Sequence, residues 1–518
     1  MSDFDTGFAG LLTQAARTDG ERLFARYNGN PLTVHALDRQ SDSVAAELRR
    51  MGLVPGDRVA LMQRNSPAVL STLFGLAKAG LVWVPINAQQ RGDGLRYILD
   101  HSDPAAVLAD ADLVPVIAEC GADLSGKPLI LAGAGAGAGT DTPAGALRLE
   151  PMLDSGARFE GALPGPDDPF AIMYTSGTTG RPKGALVTHR MMRLAGEAVA
   201  RVSAARDGDV LFVWEPLYHI GGAQMIVLPL IRAVSLAMVD RFSASRFWDQ
   251  VRDYGATHIH HLGGILQILL KQPPSPRDRD HPVRIAWGGG CPKETWTPFE
   301  ERFGVQIREC YGMTEASSIT TCNDEGTVGA VGRPMPWFSV QLLDETGNPV
   351  PQGERGEIVV RTSVPGALFT GYFRNPEATA RALRGGALHT GDLGSLLPDG
   401  TLLFHGRMTD SMRCKGENVS AWEIEHIAAT HPAIEDCAVI GVTAEIGEQD
   451  IKLFVKPKAG AALDIPSLSD WLGRQLAPYQ NPRYIAVVEE FERTPSQRIM
   501  KHRLPAAVHD SWDRQSAR

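Results

Sequence analysis

Apolar residues recur at helical spacing over 41–51 (SDSVAAELRRM), and Gly52 then stops the run. Residues 58–62 (RVALM) and 81–86 (LVWVPI) are short apolar runs of strand length, on either side of a helical stretch at 68–79. This rhythm predicts α/β architecture, with parallel-rich sheets covered by helices on both faces. It resumes from 170 to about 285, where Gly-rich turns follow the strand-like 284–287. Between 340 and 361 the period shortens to two (VQLLD, GEIVVR), interrupted by Gly347, Asn348 and Pro349. That pattern predicts a strand-rich subdomain with tight turns. After Gly406 and Arg407 the character changes again. Runs at 434–442, 451–457 and 485–488, with a helical 467–476, predict a small α+β unit. The boundary falls near 408–410, dividing the chain into a large N-terminal domain, 1–408, and a C-terminal domain, 409–518. The low-complexity 133–145 (GAGAGAGTDTPAG) lacks the Gly-x-Gly-x-x-Gly order of a nucleotide fingerprint and is expected to be a surface loop. No internal repeat is evident.

Composition narrows the class without choosing the chemistry. In 518 residues, 43% are hydrophobic and 21% charged, the balance of a globular protein. The formal charge of −9 gives no reason to expect nucleic acid or an anionic membrane as the main partner. Six cysteines (120, 291, 310, 322, 414 and 437) form no Cys-x-x-Cys pair and are too few for a disulfide scaffold. The first residues carry no basic and apolar leader, and no apolar run reaches about 18 residues. The expectation is a reduced, cytoplasmic protein.

The strongest local signal is Tyr174, Thr175, Ser176, Gly177, Thr178, Thr179, Gly180, Arg181, Pro182, Lys183 and Gly184. It follows a strand-like 170–173 and precedes a helix-like 188–200. Glycines let backbone N–H groups turn toward an anion without a Cβ in the way, hydroxyls add donors, and Lys183 adds charge. A polyphosphate suits such a loop. It is not a Walker A loop, because Gly184 rather than Ser or Thr follows the lysine. Taken alone, the stretch also reads as a polar surface turn.

The loop resembles the phosphate-binding signature of the adenylate-forming superfamily, which includes acyl-CoA synthetases, peptide-synthetase adenylation domains and luciferases. Further blocks agree in the right order over nearly the whole chain. They are Val84-Pro85-Ile86-Asn87, Pro216-Leu217-Tyr218-His219, Gly288-Gly289-Gly290-Cys291-Pro292 and Tyr311-Gly312-Met313-Thr314-Glu315, followed by Thr390-Gly391-Asp392, Gly406-Arg407, Lys415-Gly416-Glu417-Asn418-Val419 and Glu423-Ile424-Glu425. The resemblance implies a small, mobile C-terminal domain and ATP-dependent adenylation of a carboxylic acid with release of pyrophosphate. Transfer of the acyl group to coenzyme A would follow.

The same resemblance implies roles. Thr175, Ser176, Gly177, Thr178, Thr179, Gly180 and Lys183 would hold the departing phosphates. Glu315 would bind Mg²⁺, Thr314 the α-phosphate, and Asp392 with Arg407 the ribose diol. Tyr311 would present a face to adenine beside Gly288, Gly289 and Gly290, with Glu309, Gly312 and Met313 in the same site. His219 would stand between the acyl pocket and the thiol approach, and Lys415 near the pantetheine tunnel. The histidines 258, 260 and 261 suggest a metal, but no Cys or carboxylate pair completes a tetrahedral set, so one of them lining the pocket is preferred. Trp214, Trp287, Met313, Met335 and Trp337 are pocket candidates by neighbourhood.

Three departures stand out. Arg498 and Gln497 replace the lysine and glycine of the family's last motif. Arg498 is expected to take over the lysine's role; Lys501 reaching in, or a slow half-reaction, are the alternatives. Thr409 stands where Asp or Lys is common at the pivot, and Thr409 or Asp410 would act as hinge. Glu309-Cys310 precedes Tyr311 where Gln-Gly is commoner, and Cys310 is read as a small buried residue. Two other functions compete with the ligase: a divergent member adenylating nitrite to diazotise an aromatic amine, and an inactive nucleotide-binding regulator.

Overall fold

The structure, a computed structural model, describes residues 6–133, 145–175, 181–262, 264–408, 411–414, 417–444, 449–476, 480–493 and 499–516. The loop expected at 133–145 therefore lies almost wholly outside the described residues, as do Thr409 and Asp410.

Two large sheets dominate. The first has seven strands in the order Leu147–Arg148, Leu129–Ala132, Ala106–Asp110, Arg58–Met62, Val82–Pro85, Pro169–Thr175 and Lys183–Thr188. All its pairs are parallel except the last, which brings Thr175 opposite Lys183. The second has nine strands, parallel from Gln306–Tyr311 through Ile285–Gly289, His258–Leu262, Val210–Val213 and Ser235–Met238 to Leu23–Tyr27. One continuous core joins both sheets through the helices Val34–Arg50, Pro67–Ala79 and His189–Ser203. It includes Leu61, Leu108 and Phe170 of the first sheet and Phe24, Leu211 and Ile285 of the second.

Local chemistry explains the boundaries. The helix expected at 41–51 begins earlier, at Val34, because the Thr33 side chain accepts from the Ala36 N–H and caps it. Ser66 caps Pro67–Ala79 and Gly80 closes it in the left-handed conformation. This helix is buried nearly all round, and Lys78 within it is paired with Asp38 and Asp42 at 2.6 Å each. The helix expected at 467–476 runs instead from Ile465 to Gly473, since Asp464 caps it and Pro466 fits its first turn.

The period-two region forms an antiparallel sheet of Phe338–Leu343, Gly356–Thr362, Leu383–Arg384, Ala387–Leu396 and Leu402–Arg407. Beyond it, Ile434–Thr443, Gln449–Pro457, Tyr484–Val487 and Trp512–Asp513 make a mixed four-stranded sheet. Those last elements share their own core, with Met412, Ile424, Val439, Leu453, Leu472 and Ile485. They touch the preceding part through His426 on Glu294 at 2.9 Å and Lys271 on the Glu435 carbonyl at 3.1 Å. No helix among the described residues is long and apolar enough to cross a membrane.

Candidate active site

Parallel strands of an α/β sheet end in loops on one side, and ligands bind there. Tyr311 ends the strand Gln306–Tyr311, and the chain then turns sharply through Gly312 into the one-turn helix Thr314–Ala316. Only glycine fits at 312, because a Cβ there would lie 1.8 Å from the Ser318 carbonyl oxygen. Ser317 and Ser318 then take φ of 49° and 71°, the left-handed region that side chains occupy sparingly and that recurs at functional sites.

This turn buries Glu315, whose Oε1 accepts the Tyr372 hydroxyl at 2.7 Å. Lys183 Nζ sits 4.5 Å from the centre of the same tyrosine ring. Lys183 and Glu315, 132 positions apart, thus both contact Tyr372, one over its ring and the other at its hydroxyl. Burial lowers the Lys183 pKa, and the Glu315 charge partly offsets this. The Tyr311 hydroxyl donates to Asp392 Oδ2 at 2.6 Å, while Arg407 Nε stands 3.4 Å from Asp392 Oδ1. Asp392 and Arg407 face each other across an antiparallel pair, which fixes their spacing. The Arg407 charge is felt at both Lys183 and Tyr372, so the two clusters lie near one another.

On the other flank, Gly288 (φ 153°) lies so close to the neighbouring strand that a Cβ would sit 1.9 Å from the His261 carbonyl oxygen. Glu309 holds the following turn: its carboxylate accepts from the Gly290 N–H and, at 3.1 Å, from the Cys291 N–H. Burial pushes the Glu309 carboxyl up to about 8. Its side chain therefore braces the glycine turn. Cys310 is partly buried at the edge of the main core, and burial raises its thiol well above the usual range.

His219 precedes the short helix Ile220–Ala223, with its ring tilted against Tyr218. Thr175 Oγ1 donates to the Lys183 carbonyl at 3.4 Å. Ser176, Gly177, Thr178, Thr179, Gly180, Lys415 and Arg498 lie outside the described residues. Lys501, the alternative to Arg498, is paired with Glu425 at 2.8 Å, and Glu425 also accepts from the Val439 N–H.

His258 and His260 take separate partners. Among the described residues no cluster of three or more His, Cys, Asp or Glu could hold an ion. His258 contacts the Ser203 carbonyl and Thr257, while His260 pairs with Glu215. Of the aromatic pocket candidates, Trp337 faces a different surface cleft beside Arg201 and Arg232. Tyr372, the residue joining Lys183 to Glu315, went unremarked in the sequence. Its signal was faint: Gly371, at φ 145°, before an aromatic and an Asn375 helix cap.

Comparison with known proteins gives the family of the chain. Residues 12–373 match the model of the AMP-binding enzyme family, and residues 423–498 that of the AMP-binding enzyme C-terminal domain. The chain belongs to the AMP-binding enzyme family. It is 33% identical over 478 residues to crotonobetaine/carnitine–CoA ligase of Salmonella agona, covering 90% of this chain and 92% of that protein. Among solved structures it resembles a benzoate CoA ligase from Burkholderia xenovorans (25% identity, TM-score 0.85, 96% of this chain and 99% of that one). It also resembles ATP-bound MatB from Rhodopseudomonas palustris (27% identity, TM-score 0.84, 96% and 98% coverage). An anthranilate CoA ligase holding anthranoyl-AMP shares the fold at TM-score 0.87, with 23% identity and 96% coverage of each chain.

Proposed function

We propose that the protein is an ATP-dependent acid–thiol ligase whose site residues act as their positions suggest. A carboxylate oxygen of the acid attacks the α-phosphorus of ATP and the bond to pyrophosphate breaks. The thiol sulfur of coenzyme A then attacks the acyl carbon and AMP leaves with the electron pair of the cleaved bond. Two anions must meet in the first step, so charge neutralisation and alignment carry most of the rate. The observation that carries this reading is the convergence of Lys183 and Glu315 on Tyr372, next to the Asp392–Arg407 pair.

Lys183, with the hydroxyl-rich loop before it, balances charge on the outgoing phosphates, and Thr314 donates to the α-phosphate. Asp392 and Arg407 hold the ribose, with Tyr311 keeping Asp392 oriented from behind. Glu315 suits Mg²⁺: Tyr372 occupies Oε1, and Oε2 has no hydrogen-bond partner among the described residues, which matches a hard cation taking one carboxylate oxygen and otherwise phosphate and water. When bound, the ion would neutralise phosphate charge. Residues 1–408 carry the ATP and acid sites, and 409–518 rotate between the two steps. Arg498 supplies the charge of the missing lysine, a reading supported by the engagement of Lys501 with Glu425. Of the relatives at 25% identity or more, one is named for crotonobetaine and carnitine, one for benzoate and one for fatty acyl groups. The substrate class is a carboxylic acid. The chain works in the cytoplasm.

The test is pyrophosphate release against a panel of small acids, followed by loss of free CoA thiol. Release that needs a carboxylic acid, then thiol loss, is the expected result. Turnover driven only by nitrite with an aminoaromatic, or ATP binding with no release, would overturn it; the CoA-ligase relatives support neither. Lys183→Ala should lower release at least about a hundredfold, and Arg498→Ala should lower it more than Lys501→Ala.

A further inference from the structure

The segment from Trp214 to Gly222 carries His219, and its first half is tied to both large sheets. Asn65, just past the strand Arg58–Met62, donates from Nδ2 to the Glu215 carbonyl at 2.8 Å and accepts the Leu217 N–H at 3.0 Å. From the other sheet, the His260 carbonyl accepts the Trp214 indole N–H at 2.9 Å. The Glu215 carboxylate Oε1 pairs with His260 Nδ1. Both side chains are almost completely buried, and the Trp287 ring packs on His260 with centroids 4.2 Å apart. Beyond this root, past His219 and Ile220, come the small residues Gly221, Gly222 and Ala223. A Cβ on Gly222 would come 2.4 Å from the Pro216 carbonyl, and one on Gly221 would face Leu262 and His260.

The pair is an expensive way to make a loop stable. Among the described residues, Glu215 Oε2 is buried with no hydrogen-bond partner, and so is Trp287 Nε1. Leaving such atoms unmet costs free energy, and apolar residues of similar volume commonly replace buried ion pairs without loss. What a buried hydrogen-bonded pair supplies that apolar packing does not is one direction and one register. A functional element it can direct is the His219 tip, four residues along from Glu215.

We propose that Glu215 and His260 are positioning residues for acid binding: the pair, with Asn65, fixes the root of the segment so that the His219–Gly222 tip closes on the acid from a set origin. This rests on the ligase reading above, which places His219 on the acid side. It assigns no contact between Glu215 and substrate.

The test compares Glu215→Ala, Glu215→Gln, His260→Gln and the exchanged pair Glu215→His with His260→Glu, in the full-length enzyme with an acid that supports turnover. Glu215→Ala should raise KM for the acid about tenfold or more, leaving KM for ATP within about twofold, because the nucleotide residues lie on other elements. Glu215→Gln and the exchanged pair, which can still bond across the same gap, should recover to within about threefold of the parent. Where the alanine variant does not fold, His260→Gln takes its place, with the same split between acid and ATP expected. Equal loss of acid and ATP binding, no change in either, or failure of both bonded variants to recover would overturn the proposal. The parent enzyme keeps the two readings apart. If it shows no acid-dependent pyrophosphate release, the ligase reading fails; if it does and the split is absent, only the Glu215–His260 assignment fails.

Discussion

Glu309 shows how much a single side chain depends on its surroundings. Its carboxyl is buried and held up to about 8, so the folded protein keeps a proton there that the unfolded chain gives up near 4.5. Between these values the folded state binds more protons, and this group's contribution to stability falls as pH rises. Glu309→Gln is neutral throughout, so its stability relative to the parent should increase from pH 5 to pH 8. The gain is on the order of 3 kcal/mol at pH 7 as an upper bound. Denaturant unfolding at several pH values checks this, and a difference independent of pH would contradict it. The sequence marked Glu309 as part of the nucleotide site but could not show that its oxygens are spent on the Gly290 and Cys291 N–H groups. Tyr372 was overlooked for a related reason. Its neighbours carry little spelling of their own, and its importance comes from Glu315, 57 positions away, and from Lys183.

Among the elements, strands and helices were more legible than their ends. The run at 58–62 is a strand over those same residues, because it pairs with a strand on each edge and its alternate side chains are buried in a different core on each face. Ends were set by caps such as Thr33 and Asp464, which periodicity does not register. The turn after Tyr311 is the element on which the site depends. Gly312→Ala places a methyl 1.8 Å from the Ser318 carbonyl, so the turn must open and carry Thr314 and Glu315 away from Tyr372. Activity should fall by about a hundredfold or more, as for loss of a transition-state contact. The melting temperature should fall by only a few degrees, since the strand before the turn is intact. Acid-dependent pyrophosphate release and a thermal melt together test it, and near-parental activity would show that the close approach is not needed.

For the whole molecule, the shared core makes acid a specific threat. His189 is buried against Phe8 and Phe170, with neither ring nitrogen hydrogen-bonded among the described residues. Burial lowers it to about 4, and lowers His258 to about 4 and His261 to about 3. A depressed histidine pKa means the unfolded chain binds the extra proton first, so stability is lost as pH falls from about 6.5 towards 4. His189→Phe keeps the ring packing and removes one of these protons. It should retain about 2 kcal/mol more stability at pH 5 than at pH 8, relative to the parent. Unfolding curves at the two pH values decide this. An unchanged acid limb would show that His189 is not part of it.

The order of the motifs, the alternation of strand and helix, and the chemical kinds needed for a phosphate site were written along the chain, because each depends on neighbours within a few positions. What the tertiary structure alone decided are the meetings: Lys183 with Glu315 across Tyr372, Asp392 with Tyr311 and Arg407, Glu215 with His260. Apart from Asp392 and Arg407, which face each other across one antiparallel strand pair, these join segments tens of residues apart or more. Whether they form depends on how two sheets and the helices between them pack, a property of the closed core rather than of any local pattern.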